Sequence, residues 1–357
     1  MFYFCHFLAF EIMRKLFHAT LALLLAAGVM SSCNTRVDLY ADYKDVTVVY
    51  GLLDITQDTN YVKIVRAFSG SDETPIDANQ VALIADSCNY PGRLDARIVE
   101  LKSTLGNSYT ATGREIVLDT MTVHNKKPGP FYYPNQRVYY TTERFNSNTA
   151  TTKYKYRLVI NKVSDTISSE TGIVGGDGFR IITNSVIFRA EAGDMIGKVK
   201  FVPADNAVVY EVKMAFNYKE KRPGQDTVYK KLDWSLGTRS VSELDTENMM
   251  FVVSYSQGLL FNKLRDAIGN DVHNVERFIG NFELHVTAGG EELYNYVQIN
   301  APSESLSQTV PDYTNIKGGF GVFSSRVNVE NILSPRLGIS AITKTELLNM
   351  DWGFREE

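Results

Sequence analysis

The chain carries two kinds of apolar pattern. Residues 16–30 are largely unbroken Leu, Ala and other apolar residues, directly after Met13-Arg14-Lys15. Downstream the dominant period is two. Tyr154, Tyr156, Leu158 and Ile160 alternate with Lys153, Lys155, Arg157 and Asn161, and Val208, Tyr210, Val212, Met214, Phe216 and Tyr218 alternate with Glu211, Lys213, Asn217 and Lys219. Alternation of this kind sets one face of a strand against a core and the other in water. The same reading predicts strands at 46–52, 61–68, 96–101, 137–142, 181–188, 227–236, 249–255, 278–287 and 293–299. Helix is scarce. Leu260, Leu264, Ala267 and Ile268 share a helical face within 258–268, and 343–350 predicts a short C-terminal helix.

Many short strands separated by turn residues predict an all-β, mainly antiparallel protein, built from two β-sandwich units of immunoglobulin or fibronectin type with one or two short helices. Residues 221–226, containing Pro223-Gly224, join two strands as a hairpin, and Ala288-Gly289-Gly290 is expected to join 278–287 to 293–299. The glycine-rich run from Gly172 to Gly178 breaks the pattern and predicts a linker. The N-terminal sandwich is then 46–171, the linker 172–178, the C-terminal β-rich domain 179–329 and a C-terminal tail 330–357. The tyrosines of 153–160 stand where immunoglobulin-like sandwiches keep a tyrosine near the start of a closing strand.

The first segment has the grammar of a secretory signal: a positive end, an apolar stretch too short for a comfortable span, and small residues after it. Translation is expected to start at Met13, and the signal peptide to end at residue 32. Met30-Ser31-Ser32-Cys33 resembles the lipobox of bacterial lipoproteins, with Met30 where Leu, Val or Ile is usual. That resemblance implies an acyl-glyceryl lipid, with palmitate-like chains, on Cys33, and residues 33–45 as the lipidated anchor segment. Several acyl chains hold a protein stably where one does not. No later apolar run approaches the roughly 20 residues of a spanning helix, so the lipid is the expected membrane attachment. With Cys33 acylated, disulfides do not hold the fold together.

A chain that is 44% hydrophobic and 11% aromatic is not dominated by disorder, and a net charge of −4 argues against a nucleic-acid partner. No arrangement of residues spells out catalysis, and a non-enzymatic protein without a cofactor other than its lipid is expected. Gly172–Gly178 lacks the Lys-Ser/Thr of a phosphate loop, and Lys317-Gly318-Gly319-Phe320-Gly321 has the wrong glycine spacing, which suits a turn or bulge. Glu283 and His285 project from one strand face and offer half a metal site, with a solvated face as the plainer reading. His124 sits in a basic loop. Asp54 and Asp58, with Ser71-Asp72-Glu73, offer loop oxygens of the kind calcium takes, or simple solvation. Phe131, Tyr132, Tyr133, Tyr139 and Tyr140 are the candidate ligand or partner surface, since exposed tyrosines bind sugars and proteins well; packing into a core accounts for alternate members more cheaply.

A set of segments completes the picture: Cys33; Asp42 through Leu53; Tyr61-Val62-Lys63-Ile64; Ala67-Phe68; Asp86-Ser87; Tyr90; Tyr313-Thr314-Asn315-Ile316; and Gly318 through Arg326. Together they resemble lipoproteins of Bacteroidota grouped under domain of unknown function 4249. The resemblance covers nearly all of the chain after the signal, and its most specific part is the stretch from Thr314 to Arg326. It implies a lipid-anchored protein of the outer membrane and carries no catalytic residues. Surface-directed lipoproteins of these bacteria often carry acids just after the cysteine; here none precedes Asp38, and the leaflet stays open. The expected function is a binding or envelope-assembly component, with an envelope protein or glycan as partner. The alternatives are a fimbrial or adhesin subunit polymerising by strand exchange, and a glycan-processing enzyme.

Overall fold

The computed structural model describes residues 46–67, 83–104, 108–124, 126–129, 132–163, 165–271, 274–300 and 313–356. Cys33, Phe131, Ser71-Asp72-Glu73 and His273 lie outside the described residues. Where the sequence alternates, the backbone is extended and one face is buried. The strands are β1 (Val46–Asp54), β2 (Asn60–Ala67), β3 (Asp95–Thr104), β4 (Thr110–Val117), β5 (Asp119–Val123), β6 (Gln136–Thr141), β7 (Thr152–Asn161) and β8 (Thr166–Gly172). They continue with β9 (Arg180–Ile181), β10 (Ile196–Val202), β11 (Val209–Lys221), β12 (Val228–Ser240), β13 (Phe251–Ser256), β14 (Glu276–Gly289), β15 (Gly319–Leu333) and β16 (Phe354–Arg355). Helices are α1 (Ala85–Cys88), α2 (Leu259–Ile268), α3 (Glu291–Asn300) and α4 (Ala341–Asn349). The fold is all-β and mainly antiparallel, with few short helices.

One large sheet runs β12-β11-β14-β15-β1-β2-β6-β5, with β16 added to β14. Two smaller sheets, β4-β3-β7-β8 and β13-β10-β9, supply the opposing layers. Their buried faces form two hydrophobic cores. Val49, Leu53, Ile64 and Phe323 of the large sheet join Ile98, Tyr156 and Leu158 in one core. Val212, Phe216, Phe282 and Val327 join Val199, Phe201 and Val253 in the other, together with Leu260 and Leu264 of α2. Tyr156 also accepts the backbone N–H of Asn146 and donates to Glu100, which fixes the chain ahead of β7.

The chain passes from one core to the other between Ile173 and Val174, both fully buried. Residues 173–175 are therefore a buried crossing between the cores and not a loose linker, and the chain reaches the surface only at Asp177 and Gly178. Asn148 and Asn206 donate to the Ile173 carbonyl, Val174 N–H donates to Ser325, and Gly175 pairs with Asp205 through both backbone bonds. All described residues belong to one compact unit. The reason is β15, which pairs in parallel with β1 over Gly319–Arg326 and antiparallel with β14 over Arg326–Leu333. Its inward side chains serve both cores, Phe323 the first and Val327 and Leu333 the second.

The glycines that open β15 make this join possible. A Cβ on Gly321, whose φ is +106°, would sit 2.0 Å from the Val49 carbonyl oxygen, and one on Gly319 would sit 2.5 Å from that of Thr47. Only glycine permits so close an approach in that conformation. Their role is strand contact, beyond the turn expected at Gly318.

Three further expectations are corrected. Residues 293–299 are not a strand but part of α3, because Gly290 accepts the Tyr294 N–H, acids fill the first turn, and Leu293, Tyr296 and Val297 fall on one helical face. Of 181–188 only Ile181 is in a strand; Val186 instead bonds to Gly338 and Ser340 while Phe188 enters the core. Residues 330–356 are no tail. Leu333, Ile339, Leu347, Trp352 and Phe354 are core residues, and the buried Arg277 donates to the Trp352 carbonyl.

Candidate functional site

Strand parity decides what the large sheet shows to its outside. On β1, Thr47, Val49 and Leu53 point to the core, so Val48, Tyr50 and Leu52 point outward. The register of β2 aligns Lys63 with Tyr50 and Val65 with Val48, and that of β15 aligns Val322 with Tyr50. Tyr140 of β6 stands beside Tyr61 of β2, their rings 6.5 Å apart. The resulting surface is aromatic and aliphatic: Tyr50, Tyr61, Met121 and Phe320 are all exposed.

Two clefts adjoin on this surface. The first, about 540 Å³, is walled by Val48, Tyr50 and Val65 and receives Lys63, Lys126 and Tyr132, with Cys88 at its side. The second, about 570 Å³, lies between β1, β2 and α3, walled by Leu52, Tyr61, Leu293, Tyr296, Val297 and Val322. Both fall in the range of small-molecule sites. Tyr50 belongs to both. Its ring meets Tyr296 edge-on at 6.1 Å, and a hydroxyl hydrogen bond to Tyr296, helped by burial, pushes its phenol up to about 12.

The charges in the two clefts differ. In the second, Arg326 and Asp54 lie 3.5 Å apart and neutralise each other. In the first, the described lining holds Lys63, Arg66 and Lys126 and no carboxylate. Lys126 uses one N–H on the Tyr132 carbonyl at 2.6 Å, and Lys63 of β2 lines the same cleft. Burial, and then the charge of Lys126, pulls the Lys63 ammonium below its ordinary value. Like charges held together in a partly apolar cleft favour an anion between them.

The tyrosine cluster expected to act as one surface is split by the same parity. Tyr139 is buried, and its hydroxyl accepts the Leu94 N–H at 2.8 Å, so it belongs to the core and not to a binding surface. Tyr140 is on the outer face, Tyr132 lines the first cleft, and Tyr133 is exposed.

Glu283 and His285 do project together, and the β14–β15 register brings Glu330 opposite His285 as a third group. That partner was missed because nothing local links residue 330 to residue 285. The cluster nevertheless suits an ion-pair network better than a metal. Lys231 and Asn217 each donate to Glu283 at 2.6 Å, and His285 turns one ring nitrogen toward Glu283 at 3.1 Å and the other toward Glu330 at 3.9 Å. Burial alone would raise the Glu283 carboxyl, but the hydrogen bonds from Lys231, His285 and Asn217 outweigh it and bring the group down to about 2.

The other candidates disperse. Asp54 is occupied by Thr56 and Arg326, while the exposed Asp58 faces Arg144, so the two acids do not converge as calcium ligands. His124 bonds Asn135 at 2.9 Å on the surface. The backbone groups of Gly175 are committed to Asp205. No family model matches the chain, and no curated protein matches it.

Proposed function

We propose that the protein is a lipid-anchored outer-membrane component that binds a ligand, without transforming it, in the clefts on the outer face of its large sheet. The anchor rests on the signal grammar ending at Cys33 and on the resemblance to lipoproteins grouped under domain of unknown function 4249. Binding rests on one observation above the others. Lys63, Arg66 and Lys126 line one cleft with Tyr50 and Tyr132, and its described lining holds no acid.

The anchor is tested by growth with a clickable palmitate analogue, which should label the wild-type chain and leave Cys33→Ser unlabelled. Equal labelling of both would remove it. Binding is tested by purifying the wild-type chain and Lys63→Glu/Lys126→Glu side by side and identifying retained small molecules by mass spectrometry. A molecule held by the first and absent from the second is expected; identical extracts would sink the reading.

A second reading, polymerisation by strand exchange, is favoured by one feature. β12 is a thirteen-residue strand at the edge of the large sheet, with Tyr229 exposed. Its flank of Lys230, Lys231 and Asp233 and its bulge opposite Val212 and Lys213 are devices that discourage edge pairing. A concentration-independent monomer by sedimentation would set that reading aside.

A further inference from the structure

We infer that the two clefts form a single site for an anionic amphiphile, with the head group, a carboxylate or phosphate, held between Lys63 and Lys126 and an alkyl tail laid beside Tyr50 into the cleft under α3. This deepens the binding function proposed above and rests on it.

The head is argued from charge. Several exposed cations of this sheet stand against acids: Lys231 against Glu283, Lys213 against Glu211, Arg326 against Asp54. Lys63 and Lys126 instead line one cleft, with Arg66 beside them and no acid among the described lining residues. Lys126 keeps two donors after its bond to the Tyr132 carbonyl, so an oxyanion can be bound by both ammonium groups.

The tail is argued from the second cleft. Leu52, Leu293, Val297 and Val322 give it an aliphatic wall, and its one charged pair is already neutralised at the end where Asp54 and Arg326 lie. Gln57, Thr59 and Asn60 are its neutral polar side chains beside that aliphatic wall, which suits an alkyl chain that needs no donors or acceptors. Tyr50 is the shared boundary. Its hydroxyl is engaged by Tyr296, and its ring lines both clefts.

Cys88 lies in the lining of the first cleft, so its alkylation reports occupancy there. The experiment uses the full chain in phosphatidylcholine nanodiscs and measures how fast iodoacetamide modifies Cys88, resolved from the other cysteines by peptide mass. Dodecanoate and dodecyl phosphate represent the two sources of the head group; dodecanol has the tail alone and inorganic phosphate the charge alone. At equal free concentrations, one or both of the anionic amphiphiles should slow the reaction, with apparent affinity about tenfold above dodecanol, and inorganic phosphate should have no effect. Lys63→Ala/Lys126→Ala should reduce the anionic amphiphiles to the level of dodecanol, and Lys231→Ala should change nothing. Equal protection by dodecanol and the anions overturns the anionic head but leaves a binding cleft standing. Protection by inorganic phosphate alone overturns the tail. No protection by any probe, nor by a uronic-acid oligosaccharide, removes both this inference and the binding function beneath it.

Discussion

The outer face of the large sheet is two surfaces that meet at β15. On the β12-β11-β14 side it carries Lys231, Asn217, Glu283, His285 and Glu330, a set of charges and amides that answer one another across the strands. On the β1-β2-β6 side it carries Tyr50, Tyr61, Tyr140 and Phe320, with Lys63 and Lys126 lining one cleft. The two sides share a sheet, a strand parity and an equally apolar inner face. The difference teaches where to look for function. Alternation needs only that the outer residues tolerate water, and the first surface meets that need with ion pairs. The second exposes rings and keeps like charges together, which costs solubility and stability unless something binds.

The largest effect that sharpens this contrast comes from inside the charged half. Arg277 is fully buried and donates to Glu220 and to the carbonyls of Trp352 and Asp271. Arg277→Ala should lower unfolding free energy in urea by about 3–5 kcal/mol, because Glu220 and two carbonyls lose their donor. Lys231→Ala, on the outer face of the same half, should cost under about 1 kcal/mol, as solvated pairs do. Similar losses in the two variants would contradict the distinction between buried and surface ion pairs.

Next in size is the join between the halves. Gly321→Ala forces a Cβ against Val49 with φ held at +106°, and should destabilise by about 2–3 kcal/mol or shift β15 off β1. Hydrogen exchange should then rise in β1 and β15 ahead of β11 and β12. Uniform protection would mean that the β1–β15 pairing is not the weak point.

Smaller again is the test of parity on the aromatic half. Tyr139→Phe removes the acceptor of the Leu94 N–H and should cost about 1–2 kcal/mol by thermal unfolding. Tyr140→Phe, its neighbour on the opposite face, should stay within about 0.5 kcal/mol. The reverse order would place the wrong tyrosine in the core.

The smallest effect is titration of Glu283. Its folded carboxyl is held near 2, below its ordinary 4.5, so its contribution is fully present above 4.5 and is lost as the pH falls toward 2. The slope should be shallow, worth less than about 1 kcal/mol for a group its lysine shares with solvent, and Glu283→Gln should flatten it. An unchanged acid limb in that variant would show that other carboxylates set it.

Much of this was readable from residue order. Tyr154 to Ile160 and Val208 to Tyr218 announced β7 and β11 because a side-chain period of two is a local property of extended backbone. β15 was not announced, because Gly318-Gly319-Phe320-Gly321 reads as a turn until Val49 and Thr47 are seen pressed against it. α3 was mistaken for a strand because Leu293, Tyr294, Tyr296 and Val297 satisfy more than one period over so short a run. Of the five aromatic candidates, residue type alone suggested a single surface, and the split between Tyr139 and Tyr140 followed only from which side of β6 met the second sheet.

By itself, then, residue order determined the strongly alternating strands such as β7 and β11, their two-faced character, the all-β class and the signal grammar around Cys33. Tertiary structure decided which face became core, that β15 would carry one sheet across both cores, that Glu330 would answer His285, and that Lys63 and Lys126 would share a cleft. The physical reason is range. Alternation and turn chemistry act within a few residues, whereas strand pairing between distant segments is chosen by the packing of the whole core, and it is that pairing which brings side chains together into a site.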